Sequence, residues 1–582
     1  MIVTDFFRSN KKRKGLILSA IIIVSGLIPL IILTYFADPA HPYTITETIL
    51  TTEDYVKIQA HIYTPHNMTG NHPGIVIGHG FTGNSRHMQL LAIELVKREF
   101  VVVNINFRGH GSSGGYLPSF VSPDLTTILE KDLLAGIQYL NALGNIDRIG
   151  IVGHSMGSMT AMRTADDYTN VVNATVLLGM VVGFEAGFRN FLEQAISGVP
   201  EVNLSRIQNL LIANGRLEQM FTPALTLEFL ELYTNRTDVV LEHQYGSFSN
   251  GTAAKAVIGE TEHLFEPHDA HIIYETAAWF ELAFYGSLRW PITLTSTYND
   301  LSFAITLIGV IAFCFVLVLY VHNYLWKDQP INLRKDQLQN TSIIKMGLGY
   351  VGAGIIGLLF LIPGLFLFSE VLPVSMGELL YGLAMGTSIG ILVMYYFITR
   401  KSESLRLRAL PSRIRAMCSG NYWRAILYGI VVSVIFAVCI TAIANWSAVI
   451  TLPTARELGA IFSMAFLFFP WLLLKEFYFR TIQGQLNFSN RFKEYFSMVG
   501  IGTGLDSILI VPLMLLIWGK GSIFGFLALA LTVVFLFNVI QQTLVTWVYM
   551  YSGRNLLGSS IFLSIFYAWM MVNFYPFGLA LF

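Results

Sequence analysis

Gly153-His154-Ser155-Met156-Gly157 sets a serine between two glycines in the pattern G-x-S-x-G, and a second match, Gly111-Ser112-Ser113-Gly114-Gly115, lies upstream of it. A serine hydroxyl is a weak nucleophile at neutral pH. It attacks a carbonyl when a base takes its proton, an acid orients that base, and backbone N–H groups receive the oxyanion. Such a serine occupies a sharp turn directly after a strand and before a helix, with small neighbours that make the turn sterically feasible. Ile149 to Val152 reads as that strand and Ser158 to Asp166 as that helix. After Ser113 the chain runs into Tyr116-Leu117-Pro118-Ser119-Phe120, where the proline blocks an immediate helix. Ser155 is therefore the candidate nucleophile, with Gly153 and Gly157 as its elbow glycines, and Ser113 is a loop residue.

The elements that would position Ser155 are readable around it. Pro73 to Ile77 is a short buried-type run, Met88 to Lys97 repeats apolar residues at helical spacing, and Val101 to Ile105 is a second β-branched run. Strands and helices alternating at this length imply a mostly parallel sheet flanked by helices. His79-Gly80-Phe81 follows the first of these strands, so the Phe81 and Met156 N–H groups can aim at one oxyanion, with Gly80 letting the backbone come close.

On these residues, "IVIGHGFTGNSRHMQLLAIELVKREFVVVNINFRGHGSSGG" and "GHSMGSMTAM", the chain from about 45 to 285 resembles the α/β-hydrolase superfamily, in the branch of serine aminopeptidase-like and dienelactone hydrolase-like esterases. Asn106 stands where that family usually has the aspartate of D-x-R-G-x-G-x-S, a structural position. The resemblance implies the chain order nucleophile, acid, histidine. Glu218, after the strand-like Asn209 to Ala213, takes the acid position; Asp238, opening the strand-like run "DVVLEHQY", is the alternative. His263 takes the base position, between the strand-like Ala254 to Gly259 and the helical Ala270 to Phe284, with His268 ranked second and His271 third. Phe188, Phe191, Leu192 and Ile196 recur at helical spacing where the family carries a substrate-shaping cap, and an ordinary crossover helix fits the same pattern.

A chain of 582 residues that is 54% apolar and 13% charged cannot be water-soluble throughout. Lys11 to Lys14 precede about 22 mostly apolar residues, enough to cross a bilayer as an uncleaved anchor. Eight further spans are expected near 302–325, 346–368, 376–398, 425–445, 457–474, 497–518, 523–547 and 556–580. The basic N-terminus and "TRKSESLRLRALPSRIRAMCSGNYWR" both belong inside by the positive-inside bias, which leaves the sheet domain outside in a plasma membrane. Sequons at Asn67, Asn173, Asn203, Asn235 and Asn250 are compatible with that side. The expected division is an N-terminal anchor (1–43), an extracytoplasmic sheet domain (44–288), a linker (289–301) and a polytopic helical domain (302–582).

Zero net charge points away from nucleic acid, and Cys314, Cys418 and Cys439 form neither a disulfide framework nor a zinc cluster. No metal or organic cofactor is expected; the expected partners are the bilayer and an ester or amide substrate, lipid-derived substrates included. In the helical half, Glu378, Lys475, Glu476, Arg480 and Asp506 are ionisable groups at or near membrane depth. "KEFYFRTIQGQL" is similar to the E-E-x-x-x-R motif of the CAAX-protease and bacteriocin-processing membrane family, with Lys475 replacing the first glutamate. That family's later histidines have no counterpart after His322, which implies lost proteolysis. Two functional classes follow: a membrane-bound serine hydrolase, and a transporter or sensor whose sheet domain is catalytically silent.

Overall fold

Alternating β-branched runs and glycine turns between Tyr43 and Gly259 build one eight-stranded sheet. Its strands are β1 (Tyr43–Thr51), β2 (Lys57–Pro65), β3 (His72–Gly78), β4 (Val101–Ile105), β5 (Ile146–His154), β6 (Val172–Leu178), β7 (Leu210–Gly215) and β8 (Ala254–Gly259). They lie in the order β1-β2-β4-β3-β5-β6-β7-β8, antiparallel at β1-β2 and β2-β4 and parallel from β4 to β8. This is a computed structural model, and it describes residues 10–66, 68–119, 122, 124–180, 202–295, 297–326, 342–368, 371–401, 406–418, 420–444, 450, 452–486, 490–518, 520 and 522–578. The cap-like residues Phe188, Phe191, Leu192 and Ile196 lie outside the described residues.

Because successive strand side chains point to opposite faces, the sheet carries two cores. On one side Val76, Val103 and Ile151 pack against the second, third and fourth helices that flank it, here α3 (Leu125–Ala142), α4 (Met156–Asp167) and α5 (Pro223–Thr234). On the other, Ile75, Ile77 and Val152 pack against α2 (Gln89–Val96) and α6 (Ala270–Tyr285). The run from Asp238, expected as a strand, is instead a turn-rich loop, since only Tyr245 pairs, in an isolated bridge to Ala254.

The remaining helices are apolar. The N-terminal α1 (Asn10–Tyr35) lies along α7 (Thr297–Leu325), where Gly26 and Gly309 let the two backbones approach. After α7 come α8 (Ile343–Leu359), α9 (Leu361–Phe368), α10 (Gly377–Thr399), α11 (Leu410–Met417), α12 (Tyr422–Ala444), α13 (Ala455–Gln483), α14 (Arg491–Ser507), α15 (Ile510–Ile517), α16 (Ser522–Tyr551) and α17 (Leu556–Phe574). Among the described residues, seven helices are long and apolar enough to span a membrane, or eight if the bent pair α14–α15 counts as one, which fits an integral membrane protein. The expected ninth span, 346–368, is broken in two. Pro363 clashes with the carbonyl four residues back, at Leu359, where α8 ends; Pro512 acts likewise on Ile508, beside the 49° bend between α14 and α15.

The two halves meet along one end of the helical bundle. Leu117 N–H donates to the Phe577 carbonyl (2.8 Å) and Phe577 N–H donates to the Gly109 carbonyl (2.8 Å). Arg456 donates to the Gly115 carbonyl at 2.9 Å and stacks over the rings of Tyr116 and Phe577. The start of α16 presses so closely on the loop after β7 that a Cβ at Gly525 would overlap the Gln219 carbonyl.

Candidate active site

β5 ends at His154 and α4 begins at Met156, so Ser155 alone makes the turn between them, at φ +53° and ψ −117°. A non-glycine residue rarely tolerates such a conformation, at a cost of about 1–3 kcal/mol. The surroundings hold it there: Ser155 N–H donates to the Leu178 carbonyl on β6 (2.9 Å), and its own carbonyl accepts Ser158 N–H (2.8 Å). Gly153 and Gly157 are required by packing, because a Cβ on either would overlap backbone of the same turn or of Gly78.

The loop after β8 brings His263 to this serine, with Nε2 2.8 Å from Ser155 Oγ, and the loop after β7 brings Glu218, with Oε2 2.6 Å from His263 Nδ1. His263 and Glu218 are 2% exposed and Ser155 9%, so the chain of contacts is shielded from water. Glu218 Oε1 accepts Met220 N–H (2.7 Å) and Phe221 N–H (3.3 Å), which fixes the carboxylate. Burial by itself raises the pKa of Glu218, but the charge and hydrogen bond of His263 and the backbone donors outweigh it and hold the group below its ordinary value. An ionised Glu218 accepts the Nδ1–H hydrogen bond, which keeps the proton on Nδ1 and leaves Nε2 free to accept the Ser155 hydroxyl proton.

Phe81 lines the cavity over Ser155, and Met156 follows Ser155 directly. Met156 opens α4, and Gly80, whose missing Cβ would come within 3.0 Å of Ser155 Cβ, carries Phe81 alongside. His79 pins that turn: Nδ1 donates to the Gly80 carbonyl (2.8 Å) and Nε2 accepts Phe107 N–H (3.0 Å), in keeping with burial that pushes its pKa well down and keeps the ring neutral.

The lower-ranked candidates lie elsewhere. Asp238 is on the surface, paired with Arg236 at 2.7 Å, because the segment that carries it is a loop. His268 binds Asp300 at the start of α7 (2.9 Å), joining the two halves, and His271 is an exposed residue beside Glu242 (3.2 Å). Ser113 of the second G-x-S-x-G match donates to the Asn106 carbonyl and accepts Gln59 N–H. Asn106 itself is structural, accepting Ser85 N–H (2.6 Å) and donating to Gln59 (2.5 Å).

Two groups were missed by sequence reasoning. Glu266 is fully buried, accepts Gly215 N–H at 2.7 Å, and lies 3.4 Å from His154 Nε2 and 3.7 Å from His263 Nδ1. Burial, reinforced by repulsion from the Glu218 carboxylate, raises its pKa well above the ordinary value, so it keeps its proton. His154, neutral through burial, donates from Nε2 to the His263 carbonyl at 2.9 Å and so fixes the backbone of the base. Gly179 makes room for Glu266, whose carboxyl a Cβ there would overlap. His154, His263 and Glu266 offer three ligand atoms within 4.8 Å, yet a metal on them would take a ring nitrogen that His263 uses for Ser155 or Glu218. Nothing in the sequence around Glu266, "HLFEPHDA", announced a buried carboxyl.

The cavity over Ser155 is about 90 Å³ and is walled by both halves. Gly80, Phe81, His154, Met220 and His263 come from the sheet domain; Met376, Leu529, Ala530, Val533 and Tyr575 come from the helical half.

Residues 71–224 match the family described as serine aminopeptidase, S33. No curated protein matches the sequence. Among solved structures, the Pyrococcus furiosus esterase Pf2001 is similar at 18% identity, covering 41% of this chain and 92% of its own, with a TM-score of 0.31. Est1E from Butyrivibrio proteoclasticus, solved with ferulic acid bound, is similar at 17% identity, covering 40% and 94%, with a TM-score of 0.31. A hypothetical protein from Pseudomonas aeruginosa is similar at 15% identity, covering 41% and 93%, with a TM-score of 0.30.

Proposed function

The chain carries an α/β-hydrolase domain of the serine aminopeptidase-like type, and from that premise we propose that it is a membrane-bound serine hydrolase acting through an acyl-enzyme. The observation that carries this reading is His263 held between Glu218 at 2.6 Å and Ser155 at 2.8 Å.

In the reaction, Ser155 Oγ attacks an ester or amide carbonyl while His263 Nε2 takes the hydroxyl proton. Glu218, ionised and fixed by two backbone donors, holds the ring and stabilises the imidazolium. The Phe81 and Met156 N–H groups receive the oxyanion. The carbonyl carbon's bond to the leaving oxygen or nitrogen breaks, and the His263 proton goes to that leaving atom. Water then repeats the sequence on the acyl-serine, giving its proton through His263, and the acid product leaves with Ser155 regenerated.

The reading includes the division into anchor (1–43), hydrolase domain (44–288), linker (289–301) and helical domain (302–582), with the hydrolase on the outer face of the plasma membrane. Support for a single side comes from the junction. Asp300, Met376, Arg456, Gly525 and Tyr575 to Gly578 all lie at helix ends or loops that sequence threading puts on one face of the membrane. The rival, a transporter with a silent domain, leaves the strain at Ser155 and the buried Glu218 without a use. The test is kcat/KM of the full chain in detergent for 4-nitrophenyl acetate: Ser155→Ala is expected to lower it by roughly 10⁴-fold or more. An unchanged rate in that variant would remove the proposal.

A further inference from the structure

Hydrolases of this fold can close their pockets with their own loops, but here a membrane-spanning helix forms part of the wall. Leu529 and Val533 of α16 face the cavity over Ser155. On an α-helix the positions four, seven and eleven residues after Leu529 share its face, and these are Val533, Leu536 and Ile540. Exposure grows along this row: Leu529 and Val533 are half-buried in the cavity wall, while Leu536 and Ile540 are 47% and 42% exposed. All four are aliphatic, so one continuous apolar track leads from the candidate nucleophile to a surface that the bilayer covers.

The depth along the helix fits this arrangement. α16 begins at Ser522, so Leu529 lies about 10 Å from its start, and Ile540 about 16 Å beyond Leu529 at 1.5 Å per residue. Ser155 therefore opens beside the first turns of a helix apolar enough to cross a bilayer. A polar or charged substrate would gain nothing from Leu529, Ala530, Val533 and Met376, whereas an acyl chain buries apolar surface against each of them.

The geometry points to a bilayer-resident ester of a long-chain fatty acid as the substrate, its carbonyl at Ser155 and its acyl chain along the Leu529–Val533–Leu536–Ile540 face of α16. This rests on the serine-hydrolase reading. The enclosed volume of about 90 Å³ takes the carbonyl and the first methylenes, and the rest of the chain continues in the track. Attack by Ser155 transfers the acyl group to Oγ, and the proton taken by His263 goes to the alkoxide of the departing alcohol. Water then releases the fatty acid.

The test uses the full chain in phosphatidylcholine vesicles with 4-nitrophenyl acetate, butyrate, decanoate and palmitate, together with fatty-acid release from the vesicle lipid itself. The expected profile rises in kcat/KM with chain length, and Val533→Trp and Leu536→Trp lower the palmitate-to-butyrate ratio by about tenfold or more. Phe466→Leu, an exposed residue on α13 away from the track, is the control that keeps the ratio. A flat profile, or a ratio that the two tryptophans leave intact, overturns the lipid assignment. The hydrolase reading is judged separately, by whether acetate hydrolysis vanishes in Ser155→Ala; if it persists, both readings fall.

Discussion

Both halves of the molecule bury ionisable groups, but they use them differently. Around Ser155, the buried Glu218, Glu266, His154 and His263 are joined in one network that ends at a cavity. In the helical half Arg480 and Asp506 close on partners of opposite charge, while Glu378 on α10 is buried with no hydrogen-bond partner among the described residues. Arg480 holds Glu476 one turn back on α13 (2.8 Å) and Gln483 (2.7 Å) beneath the ring of Tyr549. Lys475 meets Asp506 at 3.0 Å, and Tyr350 and Gln542 donate to the same carboxylate. A buried charge pair leaves an uncompensated charge when one partner is removed, whereas a group aimed at a cavity is available for chemistry. On the proposed reading the sheet domain carries the reaction and most of the bundle is scaffold, with α16 serving both.

Breaking the network in the sheet domain should have the largest effect. His263→Ala is expected to lower kcat by roughly 10⁴–10⁶-fold, since base and nucleophile act as a unit. Glu218→Gln should cost about 10⁴-fold through loss of the Nδ1 acceptor. Asp238→Asn, at a surface ion pair, should leave steady-state rates where they are. Equal losses in the Glu218 and Asp238 variants would undo the assignment of the acid.

The junction comes next. Gly525→Leu should push α16 off the loop that carries Glu218 and reduce kcat/KM by about 10²-fold, because a small misplacement of reacting groups is costly. If the rate is unaffected, the helical half does not shape the site. Within the bundle, Asp506→Asn leaves Lys475 without its anion, with an expected loss of about 3 kcal/mol or more of stability. It would appear as a lower melting temperature with unaltered kcat/KM in the folded fraction.

Glu266→Gln should show the smallest change and the most informative pH dependence. The folded protein keeps the Glu266 proton, while the unfolded chain loses it above the ordinary value of 4.5, so this residue's contribution to stability falls as pH rises. Glutamine has no proton to lose, so the variant gains on the wild type with rising pH, by on the order of 2 °C in melting temperature at pH 8 relative to pH 5. The opposite trend would mean that Glu266 is ionised in the fold.

Much of the sheet domain was legible because its signals are local. β4 and β8 fall where β-branched runs were read, and Ser155 lies at a strand–helix junction that its glycines announce. His263 and Glu218 needed the chain order of a family as well, because three histidines and two acids in loops look alike in sequence. The run at Asp238 misled because a short apolar stretch such as Val239 to Leu241 also occurs in turns. Glu266 and His154 were invisible, since their roles come from burial and from contacts across β5, β7 and β8. Span lengths in the helical half follow from hydropathy, but Pro363 and Pro512 break two of them. The meeting of Leu529 and Ser155, far apart in sequence, depends on tertiary packing alone.

The most direct test of the account is labelling by a membrane-impermeant, serine-directed fluorophosphonate added outside sealed, oriented vesicles that hold the full chain. The account predicts labelling of the wild type that disappears in Ser155→Ala. A well-folded, accessible protein that takes no label, or a Ser155→Ala variant that labels as strongly as the wild type, would contradict it.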